Sequence, residues 1–487
     1  MSLPAVTITE LDGALGILPT TAGRLYAVVG VSSSGPVDTP ATFARVSDIT
    51  ATYGDGPMVE AAAYYIEKYG RPVVVVRTGQ TNPGTYPAGA TVVFTGTGTS
   101  VVTVDNVGTA PHDDYEFYFE VVAGGTIGVA GITFRWSLDN GRTLSPVTAL
   151  GTAASFVFPG SGGSEIDFAA GTLVAGDTAT FRGDAPKWNT TEAGTALDAL
   201  FATAASWENA HVVGDLEGAD FDVVDPKFTG GATAGKYRGW VGHTRMPTLG
   251  ETEAAYLAAL DAIFSSKATV HGEVCAGAAK TISSVTGRQY RRPASFAIAA
   301  REQSVSEEIN IADVNLGSIP GVSIRDANGN ADEHDEALNP GLDDARFTVF
   351  RTWEGVQGVY VNRPRVLSAA GSDFDLFTKR RVLNLAHGAL RSYFIRRLNK
   401  PILVDASTGF ILSSEALEIE SGALSAMRSV LLAKPKASGI QFALSRTDNL
   451  LSTKTLNGTA RVIPLAYPEF IDLEVGFLNP ALQIQTV

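Results

Sequence analysis

The chain has 487 residues, 45% hydrophobic and 18% charged, with 51 glycines, 23 prolines and a formal net charge of −14. One hydrophobic core rarely serves a chain of that length, so several domains are expected, and the acidity argues against wrapping nucleic acid, which needs clustered Lys and Arg. The single cysteine, Cys275, rules out an intramolecular disulfide or a multi-thiolate zinc site, and no window of about 20 apolar residues suggests a membrane-spanning helix.

Residues 1–24 carry Pro4, Gly13, Gly16, Pro19 and Gly23 around short β-type runs such as Val6-Thr7-Ile8-Thr9. They lack the basic-then-apolar pattern of a signal peptide, so folding in a cytoplasm is expected. A short extended segment seldom stabilises itself, because its backbone N–H and C=O groups need partners. At a chain end it completes a sheet in its own chain or adds to a neighbour's. Residues 25–82 read as strand, loop, helix, strand. Leu25–Val31 is apolar, Pro57 suits a first helical turn, and Val59, Ala62, Ala63, Ile66 and Tyr69 recur at helical spacing. Gly70 stops the helix, and Pro72–Arg77 fits a strand buried on both faces, which completes a βαβ signature.

From 83 to 187 the helical periodicity disappears. Short β runs at Thr91–Phe94, Val101–Val104, Tyr115–Val122, Ile132–Leu138, Ser155–Phe158 and Ala179–Phe181 alternate with turns such as Asp139-Asn140-Gly141. The spacing predicts a β-sandwich or barrel inserted into the α/β chain. Residues 188–370 return to α/β, with helices over 191–206 and 252–265, strands at His211–Gly214 and Ala268–Val274, and an acidic irregular stretch at 325–345. In 371–465 the strongest helix runs from Asp373 to Asn399, where Phe377, Leu383, Leu385, Leu390, Phe394 and Leu398 interleave with Lys and Arg. A strand at Pro401–Asp405, a helix from Ser413 towards Leu432, and strands at Gly439–Leu444 and Ala460–Leu465 follow. Residues 466–487 again alternate apolar and polar, as a terminal arm. The predicted class is therefore mixed α/β (α+β), multidomain, with an inserted β-sandwich-like domain and extended arms at both ends.

Local signs of chemistry are weak. Residues 326–336 space Asp326, Asn328, Asn330 and Asp332 like a calcium loop, but Ala331 and Ala337 stand where an EF-hand needs Gly and Glu, so a hydrated acidic loop is the better reading. His271-Gly272-Glu273 shares the H-x-E of zinc deaminases without their P-C-x-x-C, and reads as a strand with both side chains on one face. P-loop, G-x-S-x-G and H-E-x-x-H patterns are missing, and the six histidines have no metal-ligand spacing. A triad assembled in space from distant residues stays open. The clearest charge feature is the basic helix Lys379–Lys400, either a solvated amphipathic face or a docking face for an acidic protein.

The order of these segments resembles one family, the tail sheath proteins of contractile bacteriophage tails and related injection machines. Pro4–Glu10 leads into Leu25–Val31, then Ser34-Gly35-Pro36 and Thr39-Pro40, then Val46–Gly54, a helix at 58–69 and the strand Val73–Arg77; the Lys379–Lys400 helix, Pro401–Asp405 and Ile463–Val475 resemble the family's C-terminal domain. Trp136–Arg142 is similar to a phrase common in phage structural domains. The resemblance implies a structural subunit with no enzymatic role and no cofactor. It implies a helical homopolymer of stacked hexameric rings around an inner tail tube protein, meeting baseplate and tail terminator proteins. Such a subunit is assembled in the host cytoplasm and resides in the virion tail, with no direct nucleic-acid contact and no stable membrane insertion. The terminal arms, through Val6, Ile8, Phe470, Leu473 and Val475, are then expected to add strands to neighbouring copies, and Arg391, Arg396, Arg397, Arg428, Lys434 and Lys436 to face the tube. The competing readings are an α/β hydrolase-like enzyme and a carbohydrate-binding surface protein using 83–187.

Overall fold

Apolar runs buried on both sides dictate a parallel sheet between two helical layers, and the computed structural model, which describes residues 25–86, 92–105, 110–248, 250–326 and 332–477, has one. The first strands are β1 (Leu25–Gly30), β2 (Ala41–Phe43) and β3 (Val73–Arg77), with helices α1 (Val46–Tyr53) and α2 (Pro57–Tyr69) between the last two. Gly70 ends α2 in the left-handed conformation, φ 63°, which a glycine adopts without penalty.

Ten short strands follow: β4 (Val93–Thr95), β5 (Val102–Asp105), β6 (Tyr115–Ala123), β7 (Gly125–Thr126), β8 (Thr133–Ser137), β9 (Thr148–Ala149), β10 (Ser155–Val157), β11 (Glu165–Phe168), β12 (Thr172–Leu173) and β13 (Thr178–Gly183). They form antiparallel sheets in the orders β4-β13-β6-β8-β9, β10-β11-β5 and β12-β7, with no closed barrel. Phe117, Phe119, Phe134, Phe158, Phe168 and Phe181 fill the space between them. The chain then returns through α3 (Thr190–Ala202), β14 (Trp207–Asp215), α4 (Gly218–Thr233), β15 (Gly239–His243), α5 (Glu253–Phe264) and β16 (Gly272–Cys275).

The main sheet has the order β16-β15-β14-β1-β3-β2, parallel except for β2. Alternate residues enter opposite cores, as the two-residue period of a strand requires. Tyr26, Val28, Val73 and Val75 pack with α2 and α6 (Ser295–Ser304), whereas Ala27, Val29, Val74 and Val76 pack with α3, α4 and α5. Before α6 come the antiparallel β17 (Ala278–Ile282) and β18 (Gln289–Pro293); after it come β19 (Val322–Ser323) and the hairpin β20 (Phe350–Trp353) and β21 (Val356–Val361). Cys275 is fully buried at the end of β16.

The chain forms two compact units, Met1–Ser306 with Ile311–Arg380, and Glu307–Asn310 with Arg381–Val487. Helix α7 (Phe377–Ile395) starts in the first and continues in the second. The second unit holds α8 (Ser413–Leu431), the antiparallel pair β22 (Gly439–Leu444) and β23 (Gly458–Ile463), and the short α9 (Leu450–Thr453). Met427, Leu431 and Ala437 pack with Val382, Ala386, Ile440 and Val462, while Ile411, Ala416 and Ile419 pack with Phe442 and Leu444.

Two expectations need correction. Pro401–Asp405 is no strand, because the Asp405 carboxylate accepts the Ser407 and Thr408 N–H groups at 2.9 Å each and turns the chain; only the isolated bridge Val404–Ile411 remains. The long helix stops at Ile395 rather than Asn399, and Asn399 is itself left-handed at φ 61°.

Candidate assembly surface and a closed polar crevice

Beyond β23 the described chain, residues 464–477, has no regular secondary structure. From Phe470 on its apolar side chains lie in water: Phe470 is 83% exposed, Leu473 80% and Val475 95%. Ile471 and Phe477 are exposed as well. In an extended chain Ile471, Leu473, Val475 and Phe477 share one face, and Phe470, Asp472 and Glu474 share the other. Leu473 and Val475 thus share their face with Ile471 and Phe477, and Phe470 lies on the other. The tail starts from an anchor, since Tyr467 Oη donates to the Glu308 carbonyl at 2.7 Å. Val6 and Ile8 lie outside the described residues.

The same unit holds β22 and β23 as a two-stranded sheet, so each has one edge unpaired among the described strands. Such an edge is a template for a further strand. Ile440, Phe442, Leu444 and Val462 line the face of the hairpin that meets the unit's helices.

The basic residues divide into three groups. Arg391, Arg396, Arg428 and Lys434 are exposed. Arg397, two residues beyond α7, donates to Glu418 of α8 at 2.8 Å. Lys436 does not belong to an open face: it is 8% exposed, and its ammonium pairs with Glu307 and, at 3.2 Å, with Glu308. No sequence signal links Lys436 to carboxylates about 130 positions earlier.

In open α/β sheets small ligands enter at the carboxyl ends of the strands, where the strand order reverses. Here that place lies at the ends of β1 and β14, and the base of the inserted strands fills it. A Cβ on Gly56, at the start of α2, would lie 3.5 Å from the His112 carbonyl. Trp188 Nε1 donates to the Val213 carbonyl at 2.8 Å, and Lys187 Nζ to Asp220 at 2.6 Å. Behind this plug is a relay that sequence spacing did not reveal. Ser295 Oγ lies 2.9 Å from His211 Nε2 and 2.8 Å from His243 Nδ1, and His243 Nε2 lies 3.5 Å from Asp215 Oδ1. These are the residue types of a hydrolytic triad, yet Ser295 and His211 are 0% exposed and His243 3%, so protein encloses the hydroxyl. Burial, with Lys187 adding to it, pushes His243 down to about 3, and burial and His243 hold His211 well below its ordinary value. Both imidazoles are neutral, and the relay ties β14, β15 and α6 together.

Asp332, of the acidic loop, pairs with Lys280 and lies 4.0 Å from Arg142. Among the described residues no three His, Cys, Asp or Glu side chains converge in a way that could hold a metal ion, and no helix is long and apolar enough to cross a membrane.

The chain belongs to the DUF2586 family, whose N-terminal domain matches residues 3–365. Among solved structures its fold is that of sheath proteins. The sheath complex of the extracellular contractile injection system PVC, in the contracted state, is 12% identical, covers 99% of both chains and gives a TM-score of 0.53. The sheath tail protein Lin1278 from Listeria innocua is 13% identical over 92% of this chain and 97% of its own, with a TM-score of 0.44. A chain of the anti-feeding prophage baseplate is 10% identical over 98% of this chain and 100% of its own, with a TM-score of 0.49. No curated protein matches the chain.

Proposed function

We propose that the chain is the subunit of a contractile sheath. It polymerises with itself as stacked rings around an inner tube, bounded by baseplate and terminator proteins, and contracts to drive the tube through a target envelope. Its terminal arms add strands to neighbouring copies, so the lattice stays connected while rigid bodies turn and repack. The role is structural rather than enzymatic, and its place is a virion tail or a related injection device.

One observation carries this reading: a chain that shares its fold, over 99% of its length, with the PVC sheath exposes an apolar stripe to water at residues 471–477, next to a hairpin whose outer edges are unpaired among the described strands. An extended segment with one apolar face is stable only against another sheet. The exposed Arg391, Arg396, Arg428 and Lys434, with Arg397, supply a basic surface suited to an acidic tube.

The test is electron microscopy of the purified full chain, alone and with its tube protein. Hollow striated tubes are the expected result. Uniform monomers across a wide concentration range, with the fold intact by circular dichroism, refute the proposal.

A further inference from the structure

The inserted strands meet the α/β core at a charge cluster with too few cations. Arg292, on β18, is 1% exposed and donates to the two carboxylate oxygens of Asp113 at 2.7 and 2.6 Å. The same guanidinium lies 3.8 Å from Asp114 Oδ2 and 4.0 Å from Glu60 Oε1. Asp113 and Asp114 immediately precede β6 at the root of the insertion, and Glu60 is on α2 of the core. One guanidinium therefore faces three carboxyl groups taken out of water.

Asp113 holds the best of that cation. Glu60 keeps a hydrogen bond from Ser283 Oγ at 2.8 Å, and Asp114 one from the Ala185 N–H at 2.8 Å, just after β13. Neither donor carries charge. The other charges nearby give no relief. Asp55, in the turn before α2, and Asp184, at the end of β13, both oppose ionisation of the cluster. Arg291, the next residue on β18, is engaged by Glu333 at 2.7 Å, Lys187 is engaged by Asp220, and His112 sits 3.8 Å from Asp55. Burial, reinforced by Asp113 and only partly offset by Arg292, raises Glu60 and Asp114 to about 7.

We propose that this cluster is a proton-controlled latch, holding the inserted sheets to the α/β core while Glu60 and Asp114 carry protons and loosening the joint as they ionise. The sign follows from linkage. A carboxyl that titrates higher in the closed joint than in water binds its proton more tightly when closed, so closure is favoured below the ordinary carboxylate range and progressively lost as pH rises to about 7. For a carboxyl moving from roughly 4 in the open joint to about 7 in the closed one, opening rises on the order of 60-fold between pH 5 and pH 7.5. The proposal concerns the free chain and does not depend on what it assembles into.

Amide hydrogen exchange of the full-length chain at pH 5 and pH 7.5, corrected for intrinsic rates, tests it. Peptides spanning 111–118 and 180–188 should lose protection by tens of fold at the higher pH, while peptides of α8 serve as the background. Glu60→Gln and Asp114→Asn, which keep shape and remove the charge, should each shrink that ratio, and the double variant should shrink it further, leaving only what the raised Asp184 and Asp215 contribute. Wild-type protection at the joint that changes by less than about threefold, or a folded double variant that keeps the wild-type ratio, overturns the latch. The wild-type measurement decides alone if the variants do not fold.

Discussion

The period of the exposed tail gives the sharpest test of strand addition. If residues 471–477 join a sheet in a neighbouring copy, Leu473 moves from 80% exposed to buried, whereas Phe470 stays on the opposite face. Truncating a buried leucine to alanine removes about 2 kcal/mol of transfer free energy at ordinary apolar coefficients. Each subunit contributes one tail, so Leu473→Ala should raise the critical concentration for polymerisation about 30-fold, at 1.4 kcal/mol per tenfold. Val475→Ala should act in the same direction with a smaller effect, and Phe470→Ala should shift the concentration less than about threefold. Pelleting assays over a concentration series, with tubes counted by negative stain, read the result. Equal shifts for Phe470→Ala and Leu473→Ala, or none for either, would falsify an added strand in this phase, because a period of two cannot treat the two faces alike.

Charge reversal of Arg396 and Arg397 together should lower the fraction of chain that assembles on tubes and flatten its loss with salt; unchanged tube binding removes the basic surface from the proposal. Lys436→Met strands Glu307 and Glu308 without their shared cation and should destabilise the second unit by about 3–5 kcal/mol in chemical denaturation. In the wild type, burial pushes Glu307 up, but the hydrogen bond and charge of Lys436, its own backbone N–H and the charge of Arg381 together outweigh burial and hold it below the ordinary carboxylate range, so its stabilisation is present above about pH 4.5 and lost as pH falls below that value. His334 is 3% exposed, with its ring nitrogens 2.9 Å from Glu253 and from Glu336; these carboxylates overcome the burial that would lower it and raise it to about 9. Its contribution, about 3 kcal/mol, is complete below pH 6.5 and lost as pH rises through 9. His334→Gln should therefore flatten the thermal stability profile between pH 6.5 and 9.5, and an unaltered profile would mean that the imidazolium does not stabilise the fold.

Much of the architecture was readable where local pattern and final environment agree. Pro57, the apolar spacing through Tyr69 and Gly70 give α2 to within a residue, because a helix start, its buried face and its stop are each local chemistry. Tyr115–Val122 alternates and becomes β6, with Phe117 and Phe119 turned inward. Helix α4 went unread because Pro226 and a run of glycines contradict helical propensity, and tertiary contacts of Phe221, Val224 and Phe228 prevail. Helix α6 was hidden by Arg301, Glu302 and Gln303, which look solvent-facing in sequence yet are buried. The alternation of residues 470–477 is readable in the sequence, but the exposure of Phe470, Leu473 and Val475 is not, since apolar residues at that spacing are as often buried in their own sheet. The latch and the Ser295 relay join residues dozens to hundreds of positions apart, and no spacing rule reaches that far.

The strands that enter and leave the insertion are zipped together before the inserted sheets begin. Asn82 and Lys187 exchange backbone hydrogen bonds at 3.2 and 2.9 Å, and Thr85 and Asp184 do so at 3.1 and 2.8 Å. Such a narrow neck asks of the backbone that the two ends of the module lie side by side, about 5.5 Å apart. An exchanged cassette would therefore have to bring two things: neighbouring ends for the neck, and a carboxylate in the place of Asp113, without which the buried Arg292 of the core loses its partner.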